Sequence, residues 1–195
     1  MRYQCLMIKL KQTRTKIALF EAACLLFANG DNPSIAEISS KADISRATFH
    51  RHFSTREDFL NAMAEWALSS LEKTASNAAH SAKTFEDAFW YMVSALIPMG
   101  DRYHFLIHES HTLQQPKIQR RLKKQNIEMH SLISHLQSIG VFNPELTPAW
   151  ISTVTDALIY SAWEQVQAGD LAPNAAGPLV QRTLLNGTGI IKDIK

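Results

Sequence analysis

The sequence predicts an all-α chain: a small N-terminal three-helix helix-turn-helix domain joined by a long helix to a larger C-terminal helical domain. Three observations carry this. Almost every long segment repeats its apolar residues at spacings of three and four, and no pair of alternating strands stands out. Capping Ser and Thr residues and breaks at Pro or Gly punctuate the chain at helix-length intervals. Charge is unevenly divided: residues 1–56 hold nine Lys/Arg against four Asp/Glu, a net +5, whereas residues 57–195 hold eleven against fourteen, a net −3. A basic head on a mildly acidic body suits a polyanionic partner for the head.

Composition narrows the classes further. With 46 % apolar and 19 % charged residues, the chain can bury a core and is not disordered. No stretch approaches the roughly 20 uninterrupted apolar residues that span a bilayer, and no signal peptide is evident, so no membrane partner is expected. Met7 is an alternative start, because nothing before it reads as structural. Cys5 and Cys24 form no metal or redox spacing. Cys24 reads as a small buried hydrophobe, and the cytoplasm is the expected compartment.

The first helix is expected from Thr15 to Ala28, with Ile17, Phe20, Cys24 and Phe27 on one stripe. Asn29 to Pro33 breaks it. Ser34-Ile35-Ala36-Glu37 is a capping box that opens a short helix to Ala42. After a turn at Asp43-Ile44-Ser45, Ser45 caps a third helix, Arg46 to His52. Ser54-Thr55-Arg56-Glu57 reads as a second capping box, opening a long helix with Phe59, Leu60, Met63, Trp66, Leu68 and Leu71 apolar. Thr84 caps a helix to Ile97, and another covers Asp101 to Ser110. Gln115-Pro116 and Thr147-Pro148 each place Pro in a first turn and open helices to Gly140 and Ala168. The last helix runs from Asn174 to Asn186. The domain boundary is set between 12–56 and 57–195.

Residues Ile35–Phe53 read as a helix-turn-helix. Ile35, Ile38, Ala42, Ile44, Ala47 and Phe53 would form its core, and the other face of the second helix offers Ser45, Arg46, Thr48, His50 and Arg51. Such a helix fits the major groove, where Arg can donate two bonds to guanine and Thr can meet a thymine methyl or a phosphate.

Ile17 to Trp66 resembles the DNA-binding domain of TetR-family regulators. The resemblance lies in Ala22-Ala23, Leu26-Phe27, Ile35-Ala36-Glu37-Ile38, Ala42, Ile44-Ser45-Arg46-Ala47-Thr48-Phe49, His52-Phe53 and Glu57-Asp58-Phe59-Leu60. It implies a homodimer that binds a palindromic operator, usually as a repressor, and is released by a small molecule. It also implies that Ser34 bonds a phosphate, that His52 and Arg56 lie near the backbone, and that Arg14, Thr15 and Lys16 meet neighbouring phosphates. Two positions depart from the family pattern: Asp43 stands where Gly is usual, and His50 where an aromatic residue, often Tyr, is usual. Protonation of His50 or His52 is a route to pH-dependent operator affinity.

The second half supplies Phe89, Trp90, Tyr103, Phe105, Trp150, Tyr160 and Trp163 at helical spacings, as a pocket or as plain core. His104, His108 and His111 fall at i, i+4 and i+7. Polar pocket lining, a metal site and ordinary histidines all fit that spacing; His104 and His108 are assigned to the pocket, and no metal or cofactor is assigned. The last two helices offer apolar faces for a dimer interface through Val154, Leu158, Ala162, Val180 and Leu184, with an intramolecular core as the alternative. No nucleophile–base set, phosphate loop or paired carboxylates argue for an enzyme. The rival reading is a helix-turn-helix protein that organises DNA or answers to a protein partner.

Overall fold

The computed structural model describes the backbone of residues 2–30, 32–109 and 115–189, and the side chains of 13–30, 32–108 and 115–189. Among the described residues there are nine α-helices and no strand: α1 Arg2–Ala28, α2 Ile35–Lys41, α3 Arg46–His52, α4 Arg56–His80, α5 Phe85–Leu96, α6 Gly100–Glu109, α7 Pro116–Ser138, α8 Pro148–Ala168 and α9 Pro173–Thr188. A turn of 3-10 helix, Ile97–Met99, separates α5 from α6. None of the described helices is long and apolar enough to cross a membrane.

The chain divides into two units, Met1–Leu68 with His104–Gln114, and Ser69–Tyr103 with Gln115–Lys195. This differs from the expected boundary at residue 56. The first turns of α4 belong to the N-terminal unit because Phe59, Met63 and Leu68 are buried with α1 and α3 residues in its core. The later part of α6, from His104, joins the same unit, and Phe105 sets its ring 5.4 Å from that of Phe27.

Helix α1 starts at Arg2 rather than Thr15. Residues 2–14 contain neither Gly nor Pro and are mostly good helix formers, so the helix continues, but without an apolar stripe they leave no periodic signal. Helix α2 opens on the expected box: the Glu37 N–H donates to Ser34 Oγ at 3.3 Å, and the Ser34 N–H donates to Glu37 Oε2 at 2.7 Å. Hydrogen bonding from the Ser34 side chain first, and from its backbone N–H second, holds the Glu37 carboxyl below its usual range. The second box stands one residue later than expected. The Asp58 N–H donates to Thr55 Oγ1 at 3.0 Å and the Thr55 N–H to Asp58 Oδ2 at 3.1 Å. Ser54/Glu57 and Thr55/Asp58 both satisfy the box spacing, which is why sequence alone chose the wrong pair.

The turn after α2 is a Schellman motif. The Asp43 N–H donates to Ser40 O at 3.1 Å and the Ile44 N–H to Ser39 O at 2.9 Å. Asp43 takes φ +54, and it is the non-glycine residue with positive φ among those described. A Cβ there costs about 1 kcal/mol, which a short polar side chain lessens. We expect Asp43→Val to lower the melting temperature of the N-terminal unit and Asp43→Gly to hold or raise it, read by thermal circular dichroism. A drop with Gly as large as with Val would show that the Asp carboxylate, not the backbone, matters.

In the C-terminal unit α8 and α9 pack against each other, and α5 and α7 lie against both or one of them. Phe89, Trp90 and Phe142 form its aromatic centre, with Phe89 centroids 4.8 Å from Trp90 and 5.4 Å from Phe142. Gly100 lies hard against α8: a Cβ there would stand 2.4 Å from Trp163 Cβ.

Candidate nucleic-acid interface and cavity

Seven-residue helices such as α2 and α3 are too short to hold alone, so packing must fix them. On α3, Phe49 is wholly buried and Phe53 follows it into the core. Phe49 stands 5.0 Å from Phe59, and Phe53 meets Phe59 edge-on at 5.1 Å, with Phe20 5.7 Å from Phe53. Anchoring that face turns Arg46, Ala47, His50 and Arg51 outward together, all exposed. Ala47 was expected in the core, and the structure corrects this. Positions 46/50 and 47/51 are i, i+4 pairs on one face, a signal that its apolar side chain concealed.

Ser45 and Thr48 are partly used within the helix. Ser45 Oγ accepts from the Thr48 N–H at 3.2 Å and donates to Thr48 Oγ1 at 3.0 Å. Ser34 is exposed at the start of α2, engaged in its box. Arg14 is exposed, Thr15 half-buried, and the Lys16 ammonium lies 5.3 Å from the centre of the Phe53 ring. His52 is half-buried; burial first, then the Lys16 and Arg51 cations, hold its imidazole below the ordinary histidine value. It is therefore neutral near pH 7, and any titration of it is displaced toward acid. Arg56 reaches inward: its guanidinium donates to the Pro33 carbonyl and to Asn32 Oδ1, the latter at 2.7 Å.

The C-terminal unit contains a cavity of about 610 Å³, between the latter part of α4, α5, α7 and α8. Its walls include Leu71, Ala75, Met92, Met129 and Leu132, with Glu72, Arg121, Tyr103 and Asp156 as polar groups. Arg121 donates through Nε to Glu72 Oε1 at 3.2 Å and through Nη2 to Glu72 Oε2, and Gln125 Nε2 donates to Glu72 at 3.0 Å. The Tyr103 hydroxyl donates to Asp156 Oδ1. Burial pushes the Asp156 carboxyl up to about 6 against the opposing pull of that bond. Burial, then the Asp156 carboxylate, raises the Tyr103 hydroxyl well above its usual value.

Of the residues expected to line a pocket, this cavity takes Tyr103. Phe89 and Trp90 are core, Trp150 is 56 % exposed, and Tyr160 stacks on Trp163 with centroids 5.7 Å apart. Phe105 belongs to the N-terminal unit, as do His104 and His108, whose rings stand 4.3 Å apart. His111 lies outside the described residues. Among those described, no three His, Cys, Asp or Glu side chains are placed to hold a metal. Sequence reasoning passed over Asp156, although it and Glu164 are the two charges on a 21-residue helix.

The residues expected to form a dimer face divide between the chain's interior and its surface. Ala162, Val180 and Leu184 are buried within the single chain. Val154 and Leu158 are half-exposed, alongside exposed Ala157, Ser161, Leu179 and Thr183.

Residues 16–63 match the model of the bacterial regulatory proteins of the tetR family. The chain is 24 % identical to the HTH-type transcriptional repressor LfrR of Mycolicibacterium smegmatis over 156 residues, which is 80 % of this chain and 81 % of that one. A TetR family transcription regulator from Marinobacter aquaeolei superposes with TM-score 0.69 at 16 % identity, over 93 % of this chain and 98 % of the other. The solved structure of LfrR with proflavine gives TM-score 0.65 at 21 % identity over 92 % and 99 % of the two chains. That of AibR with isovaleryl coenzyme A and operator DNA gives 0.66 at 16 % identity over 87 % and 97 %.

Proposed function

We propose that the chain, whose residues 16–63 match the tetR-family model and which is similar to the repressor LfrR, is a TetR-family homodimeric repressor, binding a palindromic operator through α3 and released when a small molecule enters its C-terminal unit. The observation that carries the reading is the outward face of α3. Two arginines, a histidine and an alanine stand on one side of a helix whose other side is locked by Phe49 and Phe53. A rigid helix with two guanidiniums suits base-edge readout, and Ala47 between them suits a thymine methyl. Ser34, Ser45 and Thr48 meet phosphates with the bonding capacity left beyond their caps, while Arg14, Thr15, Lys16 and His52 flank the groove. Arg56 supports this surface from behind while also lying close to the DNA backbone.

The C-terminal cavity is the effector site in this reading. Its volume falls within the roughly 300–1,000 Å³ of small-molecule sites. Support also comes from the relatives: LfrR was solved with proflavine and AibR with isovaleryl coenzyme A.

The test is fluorescence anisotropy on promoter fragments flanking the protein's own gene. Arg46→Ala is expected to weaken binding to the specific fragment by about 1–3 kcal/mol while barely changing affinity for random DNA. Equal loss on both would make Arg46 a phosphate contact. Absence of any preferred fragment would remove the operator reading.

A further inference from the structure

We propose that the C-terminal cavity takes a compact, largely apolar molecule carrying a protonated amine or another organic cation, with Asp156 as its counter-ion. This rests on the effector-site reading above and specifies the ligand class. Three carboxylates line the cavity, those of Glu72, Glu128 and Asp156, against two cations, Arg121 and Lys124. Glu72 is satisfied by the Arg121 fork and by Gln125. Lys124 Nζ stands 3.6 Å from Glu128 Oε1, and both side chains are mostly exposed, which places this pair at the mouth. Asp156 has the Tyr103 hydroxyl, and no cation among the described residues lies within ion-pair distance of it.

A neutral hydrogen bond orients a carboxylate but leaves its charge uncompensated, which is costly in a partly buried place. A ligand that supplies the missing positive charge gains both the attraction and relief of that cost. An anionic ligand meets the opposite field and has to break the Arg121–Glu72 pair to find a partner. The remaining walls are mostly aliphatic, with Met92 and Met129 as adaptable thioethers and Ser76, Asn126 and Ser152 as neutral polar groups, so the body of the ligand should be largely apolar and can be flat or flexible.

Three dyes with one ring system test this by fluorescence titration at pH 7 on the full chain: an aminoacridine (cationic), acridine (neutral) and an acridine carboxylate (anionic). The expected order of affinity is aminoacridine, acridine, carboxylate, with about tenfold or more between the first two, as for a desolvated charge pair. Asp156→Asn should bring aminoacridine to the level of acridine without moving acridine itself, and Asp156→Glu should restore the preference. If the carboxylate binds best, or if Asn leaves the order unchanged, the cation assignment is overturned while the cavity remains an effector site. If no dye binds the wild type, the inference falls too; a cavity that then also ignores uncharged and anionic compounds in a thermal-shift screen takes the effector-site reading down with it.

Discussion

Replacing Phe49 by alanine is expected to lower the unfolding free energy of the N-terminal unit by about 3–5 kcal/mol, the usual result of emptying a core aromatic site. Phe49 is wholly buried and in ring contact with both Phe53 and Phe59, so its removal opens a space that these neighbours cannot close. The loss is comparable to the whole stability of many small domains. Operator binding should vanish with it although none of the outward side chains of α3 has changed. Urea unfolding followed by circular dichroism measures the first effect and anisotropy the second. A variant that unfolds with the wild-type midpoint would show that α3 is not held by its buried face.

Leu184→Asp and Leu179→Glu should fail in different ways. Leu184 is fully buried within the chain, so a carboxylate there is left without a partner at a cost of about 3–5 kcal/mol, and the C-terminal unit should unfold. Leu179 is 37 % exposed on the other side of α9, and a charge there should leave the protomer folded but dissociate the proposed dimer. Sedimentation velocity and melting curves at several concentrations separate the two outcomes, since dissociation alone makes the melting temperature lose its concentration dependence. Dimers that persist in both Leu179→Glu and Leu158→Glu would move the interface away from this surface.

Helix positions were largely legible in the sequence because caps and breaks act locally. Ser34, Ser45, Thr84 and Thr147 each accept from a backbone N–H three residues on. The strained turn at Asp43 was legible through the resemblance, in which Gly is usual at that position. Facing was not. Ala47 sits outward and Ala162 inward, yet both are alanines on amphipathic helices, and only the packing of neighbours decides between them. Both faces of α9 carry leucine, so an apolar pattern there does not distinguish core from interface. The cavity escaped for a further reason: pockets lie where side chains fail to fill space, whereas aromatic residues such as Phe89 and Trp90 tend to fill it.

Arg56 closes a loop. By gripping the Pro33 carbonyl and Asn32 from the start of α4, it ties together the two ends of a segment that contains α2, the turn and α3. Neither seven-residue helix persists alone, so both form only when that loop is shut and Phe49 and Phe53 are seated. Folding of the outward α3 face is in this sense expected to be all-or-none. On that expectation a molecule presents either the complete α3 face or none of it, with the ratio set by a folding equilibrium rather than by graded distortion of the face.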